Sequence, residues 1–314
     1  MPLRIVFMGT AELACASLLA LNQTAGFEVI AVITQPDRPG GRKLQLQPSP
    51  VKQTALAEKI PVLQPERARA EAFIAELRLL APDLIVVAAY GQILPPAILE
   101  LPRHGCLNVH TSLLPKYRGA SPIQSAILND EAETGVTIMQ MDAGLDTGDI
   151  LTQVATPIRA EDNSQTLHDR LAQLGAELLV ATISEYVAGK ISPRPQPAAG
   201  VSHCAKIKKS DGQLDWSQPA RVLWNRVRAF TPWPGAFTHL PATPQPRLLK
   251  IWQAEVAEQN GRPGEILAAD PTGILLACGQ NALRILELQL EGGRRLPARD
   301  FLAGHGLPVG LKLG

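Results

Sequence analysis

"DLIVVAAYG", residues 83–91, is the stretch on which the fold turns. No polar residue interrupts it between Leu84 and Ala89, so a strand here carries apolar side chains on both faces. Such strands belong to parallel sheets covered by helices on both sides, whereas a half-exposed strand alternates apolar with polar residues. Moving outward, "LRIVFMGT" (3–10), "FEVIAVIT" (27–34), "IPVLQ" (60–64) and "GCLNVH" (105–110) are short runs of the same kind. Helix-like segments such as 50–59 and 66–80 separate most of them, and the alternation predicts a Rossmann-like α/β domain. "TGVTIMQMDAGLDTGDILTQVATPI" (134–158) reads as two strands around a Gly/Asp-rich loop, followed by a long amphipathic helix over 165–189. The first strand ends in Gly9 without G-x-G-x-x-G, and no Walker A sequence occurs, which argues against a nucleotide-dependent oxidoreductase.

The 314 residues, 46% of them hydrophobic, can bury two domains. A net charge of +1 hides an asymmetry: from Gly200 onward there are fourteen Lys or Arg against nine Asp or Glu, leaving the remainder acidic. All four tryptophans (Trp216, Trp224, Trp233 and Trp252) also fall in the later part. The division is therefore 1–189, a proline-punctuated linker over 190–207 without regular structure, and 208–314. In the last part, short strands with Gly/Pro breaks predict a small β-barrel. Its excess of cations suits a nucleic-acid partner, or is a solvated surface. The tryptophans are expected in its core. Cys15, Cys106, Cys204 and Cys278 stand singly, with no zinc spacing, as in a reduced cytosolic chain. With no signal peptide and no membrane-length apolar run, a soluble, cytoplasmic, monomeric protein is expected.

Chemistry concentrates where the last parallel strand ends. In "LNVHTSLLPKYRGASPI" (107–123), Asn108 and His110 are two apart and share a face, at the sheet edge where open α/β folds bind ligands. "DAGLDTGD" (142–149) adds Asp142, Asp146 and Asp149. Asn, His and Asp suit acyl transfer to an amine. Asn and a protonated His stabilise the oxyanion, and a carboxylate raises the His pKa and helps remove the amine proton. Spacing alone leaves other readings open: a turn, a satisfied core group, or a calcium-like loop.

"NVHTSLLPKYRGASPIQSAI" followed by "TGVTIMQMDAGLDTGDIL" resembles the core of the formyltransferases that use 10-formyltetrahydrofolate. "TQPDRPGGRK", "PSPVK", "VVAAYGQILP", "AEDNSQTLHDRLAQLGAELL" and "RVRAFTPWPGAF" extend the resemblance, nearly end to end, to the branch acting on initiator methionyl-tRNA. The resemblance implies Asn108, His110 and Asp146 as catalytic trio, no metal, and a C-terminal barrel like an OB-fold. It implies a folate pocket between Ser112, Leu113, Leu114 and Pro115 on one side and Val87, Tyr90, Gly91 and Ile93 on the other, with main-chain groups reading the pterin. For tRNA it implies Arg38, Arg42 and Lys43 of "DRPGGRK" at the acceptor end, and Lys206, Lys208 and Lys209 on phosphates. Thr111 stands where the family usually has Gly or Ala, and Leu13 where "GTPxFA" has Phe. A formyltransferase acting on an amino-sugar nucleotide, and a non-catalytic tRNA- or folate-binding protein, are the competing readings.

Overall fold

The computed structural model describes residues 1–40, 45–242 and 245–314, which cluster into two compact units. The first comprises Met1–Pro122, Glu133–Pro157 and His168–Cys204; the second comprises Ile123–Ala132, Ile158–Leu167 and Ala205–Gly314. In chain order the elements begin β1 (Leu3–Gly9), α1 (Leu13–Gln23), β2 (Phe27–Ile33), β3 (Arg38–Gly40), β4 (Gln45–Gln47), α2 (Pro50–Ala57), β5 (Val62–Leu63), α3 (Glu71–Leu80) and β6 (Leu84–Ala88). They continue with α4 (Pro96–Leu99), β7 (Cys106–His110), β8 (Arg118–Gly119), α5 (Pro122–Leu128), β9 (Glu133–Gln140), β10 (Ile150–Pro157), α6 (Ser164–Val187) and β11 (His203–Cys204).

The main sheet of the first unit has the order β10-β9-β7-β6-β1-β2-β5. Strands β7, β6, β1, β2 and β5 run parallel, while β9 and β10 form an antiparallel edge beside β7. The doubly apolar run of 83–91 is β6, buried at every residue from Leu84 to Ala88. Strand order reverses between β1 and β6, the switch point beside which open α/β sheets bind ligands. Helix α6 packs close to β7: a Cβ at Gly175 would lie 3.0 Å from Val109. The helix expected from residue 66 starts instead at Glu71. Before it, the Ala68 N–H is held by Gln92 Oε1 at 2.8 Å, outside helical geometry.

In the second unit, α7 (Ala220–Ala229) precedes β12 (Ala236–Leu240), β13 (Arg247–Ala257), β14 (Ile266–Asp270), β15 (Gly273–Ala277), β16 (Ala282–Leu290), β17 (Arg295–Pro297) and α8 (Ala298–Gly304). The sheet order is β12-β13-β16-β15-β14, with β17 added along β16. Leu223 and Val227 of α7 and Phe301 of α8 share one core with Trp216, Ile251, Ile266 and Leu288. The barrel predicted from sequence is here an open antiparallel sheet: among the described residues no pairing joins β12 to β14. The partners of β16 divide along its length. β15 takes Ala282–Ile285 and β17 takes Glu287–Gln289, while β13 runs along the other side.

The stretch expected to be an irregular linker contains β11, which pairs in parallel with β8 at Arg118 and Gly119.

Candidate active site

Alternation along β7 places Asn108 and His110 on the face that carries Cys106, whose side chain is in the core with Val6, Met8, Ile33 and Val87. The apolar row thus ends in two polar residues at the C-terminal sheet edge. Asn108 is in register with Val87 of β6 and Met139 of β9. Asn108 and His110 are 9% and 6% exposed. His110 Nε2 lies 3.0 Å from the Tyr117 carbonyl. A carbonyl only accepts, so Nε2 carries the proton and Nδ1 presents its lone pair. That nitrogen faces Asp146 Oδ2 at 3.7 Å, too far for a direct hydrogen bond. Among the described residues none hydrogen-bonds the Asn108 amide.

Of the three loop carboxylates, Asp146 is the one turned to the histidine. Asp142 accepts from Thr147 Oγ1 at 2.7 Å and from the Gly144 N–H at 3.0 Å, so it builds the loop itself. Asp146 adopts a left-handed φ of 53°, and its Oδ2 accepts from the Gly119 N–H at 2.8 Å. Two glycines permit this arrangement. Gly119 has φ +118, and a Cβ there would lie 2.4 Å from the Cys204 carbonyl; one on Gly148 would lie 1.8 Å from the Gln140 carbonyl.

Burial pushes the His110 imidazole below its ordinary value, and the attraction of Asp146 and the bond to Tyr117 oppose this without overcoming it. The carboxylate acts on His110 in the expected, raising direction, but burial outweighs it and the net direction is down. The desolvation cost of a charged ring in so closed a place exceeds what one carboxylate beyond hydrogen-bond range returns.

The segment Ser112–Pro115 also differs from expectation. The Leu114 N–H donates to Thr137 Oγ1 at 3.1 Å, and its carbonyl accepts from Gln153 Nε2 at 2.9 Å. The Ser112 carbonyl accepts from Thr137 Oγ1 at 2.7 Å, and the Ser112 hydroxyl donates to Lys116 O at 2.6 Å. The carbonyls of Leu113 and Pro115 accept from the Lys116 and Ser202 N–H groups. These main-chain groups are therefore engaged within the protein. Leu114 packs with Met139 and Ile150, so the half-buried side chains of Leu113 and Pro115 are what the segment presents. On the expected opposite side, Val87 and Tyr90 lie in one buried cluster. Burial raises the Tyr90 phenol to about 12, and its hydroxyl has no hydrogen-bond partner among the described residues. The Tyr90 carbonyl accepts from Thr10 Oγ1 and Gln35 Nε2, Gly91 has φ +83, and Ile93 stands 83% exposed, outside that cluster. Sequence reading missed Thr137 and Gln153. They face each other in the β9–β10 register, and the available signal was a polar pair within otherwise apolar strands.

A family model described as formyl transferase matches residues 3–183, and a second, described as formyl transferase C-terminal domain, matches 206–306. The chain is 52% identical to the methionyl-tRNA formyltransferase of Citrifermentans bemidjiense, over 99% of this chain and 96% of that one. It is 51% identical to the methionyl-tRNA formyltransferase of Geobacter sulfurreducens, over 99% and 97%. It belongs to the methionyl-tRNA formyltransferase family. Among solved structures it resembles WlaRD, a sugar 3N-formyl transferase crystallised in the presence of dTDP and 5-N-formyl-THF, with a TM-score of 0.65 at 20% identity, covering 91% of this chain and 98% of that one. At that identity the likeness speaks for the fold.

Of the positions implied for tRNA in a methionyl-tRNA formyltransferase, Arg38 is exposed on β3, its Nη2 3.7 Å from Glu66 Oε2. Arg42 and Lys43 lie outside the described residues. The chain entering β3 is held by Lys52, whose Nζ donates to Asp37 Oδ2 and Gln64 Oε1, both at 2.7 Å. Hydrogen bonds from Lys52 and then Gln64 hold the Asp37 carboxyl below its ordinary value. Lys206, Lys208 and Lys209 are exposed, and the Lys208 N–H donates to Asp211 Oδ2 at 2.8 Å. Trp216 is buried and Trp224 and Trp252 are half-buried, but Trp233 is 51% exposed, against the expectation of a core position. It stands in a turn of the second unit between the exposed Pro232 and the buried Pro234. Thr111 is buried beside His110, and Leu13 is buried at the start of α1. Among the described residues no group of three or more His, Cys, Asp or Glu is placed to hold a metal, and no helix is long and apolar enough to cross a membrane.

Proposed function

We propose that the chain transfers the formyl group of 10-formyltetrahydrofolate to the α-amino group of methionine on initiator methionyl-tRNA, with Asn108, His110 and Asp146 as its catalytic residues. The observation that carries this reading is the meeting of Asn108, His110 and Asp146 at one sheet edge, in a chain that matches methionyl-tRNA formyltransferases along nearly its whole length. The folate supplies a one-carbon acyl group bonded to its N10. Asn108 donates an amide N–H to the formyl oxygen, where negative charge builds as the amine nitrogen forms its bond to carbon. Preorganised donors of this kind lower the barrier because they need no reorientation during the reaction. His110 takes the amine proton on Nδ1, the nitrogen left free by the Tyr117 carbonyl. Asp146 stabilises the resulting imidazolium across the 3.7 Å gap. As the carbon–N10 bond breaks, His110 returns that proton to N10. A formamide and tetrahydrofolate result, and the imidazole is neutral again.

Leu113 and Pro115, with Val87 near the end of β6 and Tyr90, Gly91 and Ile93 beyond it, line the folate side at the strand-order switch. Ser112 and Leu114 hold that wall in place through Thr137. Arg38, Arg42 and Lys43 meet the acceptor end of the tRNA, and Lys206, Lys208 and Lys209 meet phosphates. We read the open C-terminal sheet as an OB-like module that adds backbone affinity, in a monomer working in the cytoplasm.

The test is transfer of labelled formyl to methionyl initiator tRNA, beside methionyl elongator tRNA and an amino-sugar nucleotide. Formylation of the initiator alone, abolished in Asn108→Ala, supports the assignment. Formylation of the sugar instead refutes the acceptor, and an Asn108→Ala variant of full activity refutes the site.

A further inference from the structure

Residues 194–204, in the stretch expected to be a loose linker, are stitched onto the catalytic loops. Arg194 and Ile150 exchange both backbone hydrogen bonds, at 2.8 and 2.9 Å. Ser202 Oγ accepts from the Tyr117 N–H at 2.9 Å, the Ser202 carbonyl accepts from the Arg118 N–H, and the Cys204 carbonyl accepts from the Ala120 N–H. Gln196 does most at the site. Its Nε2 donates to the carbonyls of Asp146 and Gly148, both at 2.8 Å, and its Oε1 accepts from Arg118 Nε at 3.1 Å and Nη2 at 2.7 Å. Gly119, next to Arg118, donates its N–H to Asp146 Oδ2. A ring therefore closes from the Asp146 carbonyl through Gln196 and Arg118 to Gly119 and back to the Asp146 carboxylate. Asp146 sits at a left-handed φ that few non-glycine residues adopt. Its carboxylate is thus held from the side-chain end and from the main-chain end. The sequence supports this rigidity: Gln196 lies in "PRPQP" (193–197), where prolines on either side fix the backbone and offer no competing N–H.

We propose that Gln196 is a positioning residue, holding the Asp146 carboxylate toward His110 Nδ1. The proposal rests on the catalytic reading of Asp146 given above. Gln196 acts through the loop, so removing it frees Asp146 to turn away from the imidazole. Misplacing a catalytic group by about 1 Å typically costs on the order of 10²-fold.

The experiment compares Gln196→Ala and the isosteric Gln196→Glu with wild type. Glutamate keeps the shape and the acceptor for Arg118, but presents oxygen where two carbonyls need donors. In both variants kcat for formyl transfer is expected to fall roughly 10- to 100-fold, with KM for both substrates and the melting temperature little changed. A purely space-filling role predicts that glutamate restores activity, and that result, or kcat within twofold of wild type in both variants, overturns the proposal. A second readout uses no substrate: NMR titration of the His110 imidazole. Asp146 is the charged group acting on His110, so its retreat moves the His110 midpoint to lower pH in Gln196→Ala, where no new charge is added, and an unmoved midpoint there overturns the proposal. Because that titration is independent of the acceptor, failure of the strap and failure of the substrate assignment are told apart.

Discussion

Replacing Thr137 with valine tests how the segment that follows β7 is held. Thr137 is fully buried on β9. Its hydroxyl donates to the Ser112 carbonyl at 2.7 Å and accepts from the Leu114 N–H at 3.1 Å and from Gln153 Nε2 at 2.9 Å. Valine has the same shape and none of these bonds. Gln153 keeps its second acceptor, the Leu114 carbonyl, so its loss is small. The Leu114 N–H and the Ser112 carbonyl are left unpaired in a buried place, at about 1–2 kcal/mol each, or about 2–4 kcal/mol in all. Serine instead keeps the hydroxyl and gives up one methyl, about 1 kcal/mol. Urea unfolding of Thr137→Val and Thr137→Ser measures the difference. Circular dichroism is the probe, because all four tryptophans lie in the second unit and do not report on β9. Valine is expected to be the less stable, and its KM for 10-formyltetrahydrofolate to rise as Ser112–Pro115 loosens. A valine variant as stable as the serine one would refute the account of the hydroxyl as a bridge, and an unchanged KM would refute the segment as a folate wall.

Further outcomes are expected. Asn108→Ala lowers kcat by on the order of 10²–10³, with both KM values within a few-fold in steady-state formylation assays. Because burial depresses His110, kcat/KM climbs to its plateau at a pH below the ordinary histidine value of about 6.5. Asp146→Asn removes a charge that favours the protonated ring, so it moves this acid limb to still lower pH, as a pH–rate profile reads directly. The same depression links to stability: above about pH 6.5 the ring is neutral in both states. As pH falls below that value the unfolded chain takes up a proton the folded one refuses, so stability declines until pH reaches the folded value. If Arg42 meets the tRNA as proposed, Arg42→Ala raises KM for tRNA but not for folate, and the gap to wild type narrows as salt is added, since losing a cation from the tRNA interface lowers the salt slope.

Local signals in the sequence determined much of this protein. Doubly apolar runs such as Leu84–Ala88, bounded by turn residues, point to buried strands, and their alternation with helices points to a covered, largely parallel sheet. The two-residue spacing of Asn108 and His110 put both on one face before any tertiary contact was known, because side-chain alternation is a property of the strand itself. What depended on distance through space was decided by the tertiary structure alone. The protonation of His110 follows from how deeply the fold encloses it, and from a carbonyl seven residues away that claims Nε2. Asp146 was already singled out by the resemblance, but why Asp142 does not serve is seen only in the fold, where the loop spends Asp142 on its own turn. The main chain of Ser112–Pro115 looked free, since nothing near it in sequence reveals that Thr137 and Gln153 reach across from neighbouring strands. The open C-terminal sheet was likewise hidden, because strand lengths do not show that β15 and β17 divide one side of β16. Gln196 is the sharpest case: in sequence it is one polar residue in a proline-rich connector. Its role exists only because the chain returns, fifty residues after Asp146, to place an amide where two loop carbonyls point.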